Sequence, residues 1–333
     1  MGAGVMLMNF QGKALIRQLA LGGLLPALVC LVVVLMLPQP PAAAPSTGPT
    51  TVPSQPEQTG YILSLLEGDG CVDVELETYL TGVVLAEMPA SFASEALRAQ
   101  AVAARTYTLK QCRSNQRHGE NTLCADHTCC QAYIDPKDYV ARGGSWSSVE
   151  RVRQAVESTA GQVLQYDGEL IFATYFSCAG GQTEAAVAVW GQDFPYLQSV
   201  PSPGEEGATW FTDEKTFTSQ QLQQALAVRL DGPVRSWFGD VSYTDGGGVD
   251  WMEIGGVAYR GKTLRTLLGL RSTVFTVSFS GDSVTFHTRG YGHRVGLSQY
   301  GANAMALAGS TYPQILAHYY TGTELVHYSV MTE

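Results

Sequence analysis

The chain has 333 residues, of which 45% are hydrophobic and 10% aromatic, enough to bury one large core or two modest ones. Twenty Lys and Arg residues against thirty Asp and Glu residues give a formal net charge of −10 at pH 7. This balance argues against binding nucleic acid or anionic lipid through bulk charge, whereas a sugar polymer would tolerate it.

Residues 19–37 form an almost unbroken apolar run, LALGGLLPALVCLVVVLML, close to the roughly 20 residues that cross the hydrocarbon core of a bilayer. Lys13 and Arg17 precede the run, and no acid does. The positive-inside rule therefore places residues 1–18 in the cytoplasm and the rest of the chain outside it. A cleaved signal peptide is the alternative, because residues 40–44 offer small side chains to a peptidase. The length of the run favours a retained single-pass anchor in the cell membrane.

Composition separates a spacer from a folded domain. Residues 38–58 are rich in Pro, Ser and Thr and have too few apolar side chains to bury, so we expect an extended linker. Residues 59–330 have the mixed apolar patterns of one folded domain, beginning with predicted strands at 61–66 and 72–76. We expect an α+β fold of mixed helices and short, mostly antiparallel hairpins.

The most informative stretch is a predicted helix from Glu77 to Met88. Leu80 and Val83 recur at helical spacing, and Glu87 lies on the same apolar stripe. Pro89 ends the helix and leaves Glu87 in its last turn, beside the negative end of the helix dipole. Burial and the dipole both favour the protonated carboxyl. Glu87 is therefore a candidate general acid.

A structural role for Glu87 is the alternative. A second helix is predicted from Ser94 to Thr108, and it would form an αα-hairpin with the first. Arg98 or Arg105 of this second helix would then pair with Glu87 and hold the two helices together. Structural ion pairs imitate active sites, so the pattern leaves both interpretations open.

Cysteine and histidine crowd the irregular segment between Cys112 and Tyr133. Such density in an oxidising exterior indicates either a disulfide or a metal site closed by thiolates and imidazole. The spacing does not match a standard zinc finger. The crowded residues are His118, Cys124, His127, Cys129 and Cys130.

Two polar clusters follow predicted strands. A helix at 148–159 leads to a hairpin of 162–166 with 169–177, because Asp167-Gly168 between them is typical of a type I′ turn. Tyr175, Ser177, Gln182 and Thr183 end this hairpin and offer hydroxyl and amide groups suited to sugar hydroxyls, although a hydrogen-bonded turn is an alternative. The second cluster presents His293 on a glycine-rich turn, followed by Ser298, Gln299 and Tyr300.

The remaining predicted elements carry no predicted chemistry. They are a loop at 195–206, a helix at 219–230, a glycine-rich turn at 245–249, a helix at 262–268, a hairpin of 274–279 with 283–288, a helix starting near 297, a helix at 313–319 and a strand at 324–330.

Several blocks of this sequence resemble the stage II sporulation protein D family, in matching order over roughly residues 60–328. The blocks are Glu87-Met88-Pro89, Glu95-Ala96-Leu97, AQAVAARTY from Ala99 to Tyr107, YFSC from Tyr175 to Cys178, GGQTE from Gly180 to Glu184, Val189-Trp190-Gly191, GYGH from Gly290 to His293 and SQYGA from Ser298 to Ala302. Members of this family are membrane-anchored lytic transglycosylases that degrade peptidoglycan during spore engulfment. The acid before Met-Pro is their catalytic residue, which implies that role for Glu87.

The implied reaction needs only one carboxyl group. Most glycosidases use two, one to protonate the leaving oxygen and one to supply or activate a nucleophile. In a lytic transglycosylase the substrate's own C6 hydroxyl is the nucleophile. Glu87 would protonate the β-1,4 bond between N-acetylmuramic acid and N-acetylglucosamine, then accept the C6 proton as a 1,6-anhydro ring closes.

The resemblance also implies the residues that hold the substrate. In the family the second polar cluster faces the acid-bearing helix across a groove. The expected substrate-binding residues are Arg105, Tyr175, Ser177, Gln182, Thr183, His293, Ser298, Gln299 and Tyr300. The chain departs from the family at Arg294, where glycine is common, and a bulky cation there would alter the groove or contact muramic carboxyl groups.

Some family members hold zinc beside the groove with ligands in the Cys-rich loop. That resemblance leads to His118, Cys124 and Cys130 as ligands, with zinc organising the loop rather than activating water. A disulfide from Cys124 to Cys129 or Cys130 is the alternative, because sequence does not fix connectivity.

The implied partners are peptidoglycan glycan strands already stripped of stem peptides, a sporulation amidase and a membrane scaffold protein of engulfment. Nucleic acid is not among them. Proteins with this domain also resemble amidase enhancers, which bind the wall and stimulate a hydrolase without cutting glycan. In that case Glu87 is structural. A metal hydrolase that uses the Cys/His cluster is a third, weaker hypothesis.

Overall fold

A computed structural model describes residues 60–68, 70–114 and 117–328, and these form a mixed α+β unit with small sheets. The predicted cytoplasmic segment, membrane anchor and spacer at 1–58 lie outside the described residues, as does the end of the predicted last strand. Within the described ranges, none of the helices combines the length and the apolarity needed to cross a bilayer.

The chain has one long helix, and the other helices among the described residues are shorter. In chain order they are α1 (Leu76–Glu87), α2 (Ser94–Ser114), α3 (Pro136–Ala141), α4 (Trp146–Glu157), α5 (Ala186–Trp190), α6 (Ser219–Leu226), α7 (Gly261–Leu268), α8 (Gln299–Leu307) and α9 (Tyr312–Tyr319).

Helix α2 is the centre of the first core. It packs against α1, α4, α8 and α9. Its alanines at 96, 99, 101, 103 and 104 are fully buried, and their small side chains allow neighbouring backbones to approach closely. The predicted αα-hairpin of α1 and α2 is confirmed.

The strands form several small sheets, mostly antiparallel. They are β1 (Ile62–Glu67), β2 (Gly70–Glu75), β3 (Thr122–Leu123), β4 (Gln162–Tyr166), β5 (Glu169–Leu170), β6 (Tyr175–Phe176), β7 (Gly181–Gln182), β8 (Pro201–Ser202), β9 (Thr212–Thr218), β10 (Phe238–Tyr243), β11 (Val249–Ile254), β12 (Val257–Arg260), β13 (Val274–Ser280), β14 (Ser283–Arg289), β15 (Leu297–Ser298) and β16 (Glu324–His327).

Sheet order shows which parts of the chain meet. The sheets around the first core have the orders β2-β1-β3 and β16-β4-β5, with the short pairs β15-β6 and β7-β8. Strand β6 pairs in parallel with β15, which aligns Tyr175 with Leu297 and Phe176 with Ser298. This pair joins the two predicted polar clusters.

A second hydrophobic core is built from residues 212–289. Two sheets with the orders β10-β11-β12 and β13-β14-β9 contribute to it, together with α6 and α7. Leu222, Leu264, Val284 and Phe286 of this core are fully buried. The sequence allowed two cores, and both are present.

Several predicted boundaries are wrong. The predicted strand 169–177 is interrupted after Leu170, and β6 pairs with β15 instead of β4. The helix predicted to reach Leu230 ends at Leu226, because Ala227 adopts a left-handed conformation with φ of 55°. The hairpin of β13 and β14 is confirmed.

Candidate functional site

Glu87 opens into a groove with a volume of about 660 Å³. It is the last residue of α1, because Met88 precedes Pro89 and takes an extended conformation with φ of −129° and ψ of 139°. The side chain is partly exposed rather than sealed in the core. The groove is therefore accessible to a ligand at this carboxyl group.

The predicted structural ion pair of Glu87 is not formed. Arg105 pairs with Glu77, with 2.9 Å between Nε and Oε1, and Arg98 pairs with Glu95 at 2.8 Å. No salt bridge reaches Glu87 within the part of the chain that the structure describes. Glu77, rather than Glu87, forms the ion pair that joins α1 to α2.

Three neighbours set the state of the Glu87 carboxyl. Gln299 donates a hydrogen bond from Nε2 to Oε2 over 3.2 Å. Burial raises the pKa of Glu87 above its ordinary value, and hydrogen bonds from Gln299 and the Ala132 backbone with the charge of His127 offset part of that rise. The net effect keeps the acid protonated to a higher pH than in water.

Tyr175 lies in the same groove and is oriented by a residue that the sequence did not single out. Its hydroxyl donates to Gln131 Oε1 over 2.6 Å, and Gln131 Nε2 in turn donates to Thr108 Oγ1 over 2.6 Å. Burial and the nearby Glu87 raise the pKa of Tyr175 well above its usual value, so the hydroxyl keeps its proton.

His293 is a neutral hydrogen-bonding group in the groove. Burial and the charge of Arg265 lower the pKa of His293 to about 4. Its Nδ1 accepts the backbone N–H of Val295 over 3.1 Å, so the neutral ring carries its proton on Nε2. The ring packs between Phe176 and Trp190. A hydrogen bond with the Tyr175 backbone offsets part of the fall in pKa. His293 therefore lies in the groove as a neutral ring and supplies no positive charge.

The predicted substrate-binding residues divide into those that line the groove and those that do not. Ser177, His293, Gln299 and Tyr300 line the groove together with Glu87 and Tyr175. Arg105, Gln182, Thr183 and Ser298 do not line it. These four residues make hydrogen bonds within the protein around the groove.

Each residue of the second group makes contacts within the protein, and its substrate contact stays a prediction. Arg105 is fully buried and paired with Glu77. Thr183 Oγ1 accepts the N–H of Val200 over 2.8 Å, and Gln182 Nε2 donates to Ser199 Oγ over 2.9 Å.

Ser298 belongs to a buried carboxylate network centred on Glu205, a residue the sequence did not indicate. Glu205 accepts hydrogen bonds from the N–H groups of Ala179 over 3.1 Å and Gly180 over 2.8 Å, and from the hydroxyls of Ser202 and Ser298. Ser298 also caps the start of α8. This network fixes the helix start that presents Gln299 to Glu87.

Arg294, for which an effect on the groove or a contact with muramic carboxyl groups was predicted, is buried and does not line the groove. It is 1% exposed and lies 3.0 Å from Glu184 Oε1 through Nη1. It also donates to the carbonyls of Ala179, Gln182 and Gly246. Its φ of 67° is left-handed, a conformation that glycine adopts without strain and other residues rarely adopt.

Aromatic side chains that the sequence analysis did not assign also line the groove. Trp210 and Tyr291 are exposed. The Arg271 guanidinium lies 3.7 Å from the centre of the Trp210 ring and 5.1 Å from that of Tyr291. These rings come from loops far apart in sequence, so no local pattern marked them.

A cluster of possible metal ligands lies at the rim of the groove. The donor atoms of His118, Cys124, Cys129 and Cys130 lie within 4.8 Å of one another. The sequence prediction named three of these residues and placed Cys129 only in the alternative disulfide. The six cysteines among the described residues are all free.

The donor set fits a structural zinc ion. Three cysteines and one histidine match a common tetrahedral zinc site. Hydrogen bonds from Arg117 and His118 lower the pKa of the Cys129 thiol to about 7, which favours the thiolate that a metal requires. Burial raises the pKa of Cys130 to about 12, so binding there would have to displace a proton. Cys130 also lines the groove.

Together, the fold and the site define an α+β protein with one protonatable carboxyl in an aromatic, polar groove and a Cys/His cluster at its rim. A sequence model of the family described as Stage II sporulation protein matches residues 69–166. The chain is 40% identical over 258 residues to Stage II sporulation protein D of Bacillus subtilis (strain 168), covering 76% of this chain and 75% of that protein.

Two further relatives extend the comparison. Identity is 37% to Stage II sporulation protein D of Bacillus amyloliquefaciens, covering 76% of this chain and 74% of that protein. It is 32% to the protein named Amidase enhancer of Bacillus subtilis (strain 168), covering 75% of this chain and 40% of that protein. The chain belongs to the stage II sporulation protein D family, a family of sporulation proteins, and the predicted resemblance is confirmed.

Proposed function

We propose that the protein is a lytic transglycosylase that cuts the MurNAc-GlcNAc β-1,4 bond of denuded glycan strands during engulfment, with Glu87 as general acid and base. One observation carries the proposal: Glu87 has a raised pKa, no ion-pair partner among the described residues, and an opening into a 660 Å³ groove. That volume lies within the roughly 300–1,000 Å³ typical of ligand sites.

The proton moves twice in this mechanism. Protonated Glu87 gives its proton to the glycosidic oxygen as the bond to C1 of the muramic residue breaks. The C6 hydroxyl of the same residue then attacks C1, and the Glu87 carboxylate accepts its proton. The product ends in 1,6-anhydro-MurNAc, and Glu87 is protonated again without consumption of water.

The neighbouring groups hold the sugar and the acid in place. Gln299 keeps the Glu87 carboxyl oriented. The Tyr175 hydroxyl and the neutral His293 ring are polar groups that can contact the acetamido and hydroxyl groups of the glycan. Trp210 offers an exposed ring, held by Arg271, on which a sugar ring can stack.

The product of the reaction tests the proposal. Full-length protein is incubated with purified denuded glycan strands, and the ends are analysed by mass spectrometry. We expect anhydro-muramyl ends from the unmodified protein and from Glu169→Gln, which changes an exposed acid away from the groove. The rate with Glu87→Gln should fall by roughly 10²- to 10⁴-fold. Unmodified protein that yields no anhydro ends would refute the proposal.

A wall-binding amidase enhancer is the second candidate, favoured by the relative of that name. In this case the protein stimulates a partner sporulation amidase without cutting glycan. Amidase release of stem peptides from intact peptidoglycan is measured with each variant. Equal stimulation by Glu87→Gln and by the unmodified protein, without anhydro ends, would support this candidate.

Location and assembly follow from the same proposal. Residues 19–37 would anchor the chain in the cell membrane with residues 1–18 in the cytoplasm, and residues 38–58 would let the domain reach the wall. A membrane scaffold protein of the engulfment machinery is the further partner. Reporter fusions at either side of the run would test the orientation.

His118, Cys124, Cys129 and Cys130 would hold zinc at the groove rim. When bound, zinc would cross-link the loop that carries Gln131 and Ala132, the residues that contact Tyr175 and Glu87. Metal content is measured on protein purified under reducing conditions. We expect about one zinc per chain in unmodified protein and in Cys71→Ser, an exposed cysteine outside the cluster, and a loss in Cys129→Ser. Metal-free unmodified protein would reject the zinc proposal.

A further inference from the structure

A second cavity of about 300 Å³ adjoins the groove. Its lining includes Trp190, Arg260, Lys262, Arg265 and His293, and we call it the side pocket. Arg265 and His293 line both cavities. A glycan bound in the groove would therefore have a neighbouring space for one of its substituents.

Arg265 is a partly buried cation without an acidic partner. It lies on α7, whose Leu264 and Leu268 are anchored in the second core. Its Nε donates to the Arg271 carbonyl over 3.2 Å. Among residues 60–68, 70–114 and 117–328, no carboxylate oxygen lies within 4.0 Å of its guanidinium, and its two terminal nitrogens have no hydrogen-bond partner.

Arg105 and Arg294, the fully buried arginines among the described residues, both have acidic partners. Arg105 binds Glu77, and Arg294 binds Glu184. A desolvated guanidinium is costly unless an anion compensates for it. In a chain with ten more acids than bases, the lack of such an acid at Arg265 indicates that the compensating anion comes from a ligand.

The acids of the side pocket do not compensate Arg265. Glu184 Oε1 accepts hydrogen bonds from Arg294 and Thr244, and its Oε2 is buried without a hydrogen-bond partner among the described residues. Asp250 pairs with Arg260. Lys262 donates to a backbone carbonyl over 3.3 Å and has no acidic partner among the described residues. The pocket therefore keeps two uncompensated positive charges, on Arg265 and Lys262.

We propose that the side pocket binds a carboxylate of the peptidoglycan strand, held by the Arg265 guanidinium with Lys262 nearby. The planar guanidinium matches a carboxylate through two parallel hydrogen bonds. The inference rests on the proposed function, because the ligand enters with the glycan. On the denuded strands of the proposed function this carboxylate is the lactyl group of muramic acid. A stem-peptide carboxylate is the other source in peptidoglycan, and the test distinguishes the two.

Binding measured by calorimetry on full-length protein with Glu87→Gln, which prevents turnover, tests the proposal. Three ligands are compared. They are a chitotetraose without carboxylates, a GlcNAc-MurNAc tetrasaccharide with free lactyl groups, and the same tetrasaccharide with stem peptides attached through those groups. Adding Arg265→Gln should raise the Kd for a carboxylate ligand by roughly 10- to 100-fold, and leave the Kd for chitotetraose unchanged.

Two further variants control for charge and folding. Arg229→Gln makes the same chemical change at an exposed arginine that lines neither cavity, and should leave all three Kd values unchanged. Arg265→Lys keeps the charge but loses the planar fork of the guanidinium. Its Kd for a carboxylate ligand should therefore lie between that of Arg265→Gln and that of the protein with Arg265. Thermal unfolding of each variant confirms that it is folded.

The outcomes separate the two proposals. A loss confined to the free-lactyl ligand identifies the lactyl carboxylate, and a loss confined to the peptide-bearing ligand identifies the stem peptide. Equal losses for chitotetraose and for the carboxylate ligands would overturn the side-pocket proposal, as would no loss in folded Arg265→Gln. Those results leave glycan cleavage intact, whereas failure of the protein to bind any glycan would count against both proposals.

Discussion

Gln299 donates a side-chain hydrogen bond to the Glu87 carboxyl. The Gln299 amide stabilises the charged carboxylate and so lowers a pKa that burial raises. Removing the donor with Gln299→Met should raise the pKa of Glu87 further. A general acid is lost as pH rises through its pKa, so the alkaline limb of the kcat/KM profile should move to higher pH.

Other groups facing Glu87 set the conditions of this measurement. Tyr175 keeps its proton because its pKa is raised, and His293 is neutral above about pH 4. His127 and Cys130 also line the groove, so the zinc content must be equal in all samples. Gln154→Met changes an exposed glutamine of α4 and should leave the profile unmoved. If Gln299→Met moved the alkaline limb of the kcat/KM profile to lower pH, the role assigned to the Gln299 amide would be contradicted.

At the site, sequence reasoning identified residues that share a local pattern. Glu87 was predicted because it falls on a helical stripe, and His293 because glycines flank it. Gln131, Glu205 and Arg265 were missed. Gln131 and Glu205 act through contacts with residues distant in sequence, such as the 2.6 Å bond from Tyr175 to Gln131. Arg265 was missed because its two cavities are built from several separate segments. The hydrophobic periodicity of one segment carries no information about such a contact.

Helix α7 positions Arg265 and depends on a close backbone contact at its first residue. A Cβ on Gly261 would lie 1.8 Å from the Val249 carbonyl oxygen in β11. The helix would have to move away from the sheet, so Gly261→Ala should destabilise the fold by about 1–3 kcal/mol. Thermal unfolding measures this effect.

Gly207→Ala is the matched change. Nothing lies within 4 Å of a Cβ at Gly207, and its φ is not in the left-handed region. This substitution should leave the melting temperature unchanged or raise it slightly, because alanine restricts the unfolded chain. Equal melting temperatures for both variants would show that α7 adjusts without cost, and would weaken the case for a rigidly placed Arg265.

Elements with strong local patterns were predicted, and those defined by distant partners were not. The α1-α2 hairpin and the β13-β14 hairpin follow from periodicity and turn residues. Strand β6 is short and is defined by parallel pairing with β15. Strand β9, with sequence TDEKTFT, is polar and mostly exposed, so it lacks the alternation that indicates a strand. It forms because β14 supplies hydrogen-bonding partners along its length.

Across the whole molecule, the groove is lined from both hydrophobic cores. Glu87 belongs to α1 of the first core, whereas Arg265 belongs to α7 of the second. The chain between β9 and β14 therefore contributes Arg265 to the lining of the groove. Stability of the second core should affect glycan binding even though it contains no proposed catalytic group.

Phe286 offers a test of whether the two cores unfold separately. It is fully buried and its ring contacts those of Phe217, Phe238 and Phe275. Phe286→Leu should cost about 1 kcal/mol. In hydrogen exchange followed by mass spectrometry, we expect faster exchange in peptides from 212–289 and unchanged protection in α2, because local opening involves only the contacts of the weakened unit.

The matched substitution in the first core is Phe92→Leu. Phe92 is 8% exposed and packs edge-on against Tyr300, so its replacement should speed exchange around α2 and leave 212–289 protected. If each variant speeds exchange only in its own core, the second core, which carries Arg265, can open while α1, which carries Glu87, stays folded. Faster exchange throughout the described domain in both variants would instead show a single cooperative unit, and the groove would then form and open as a whole.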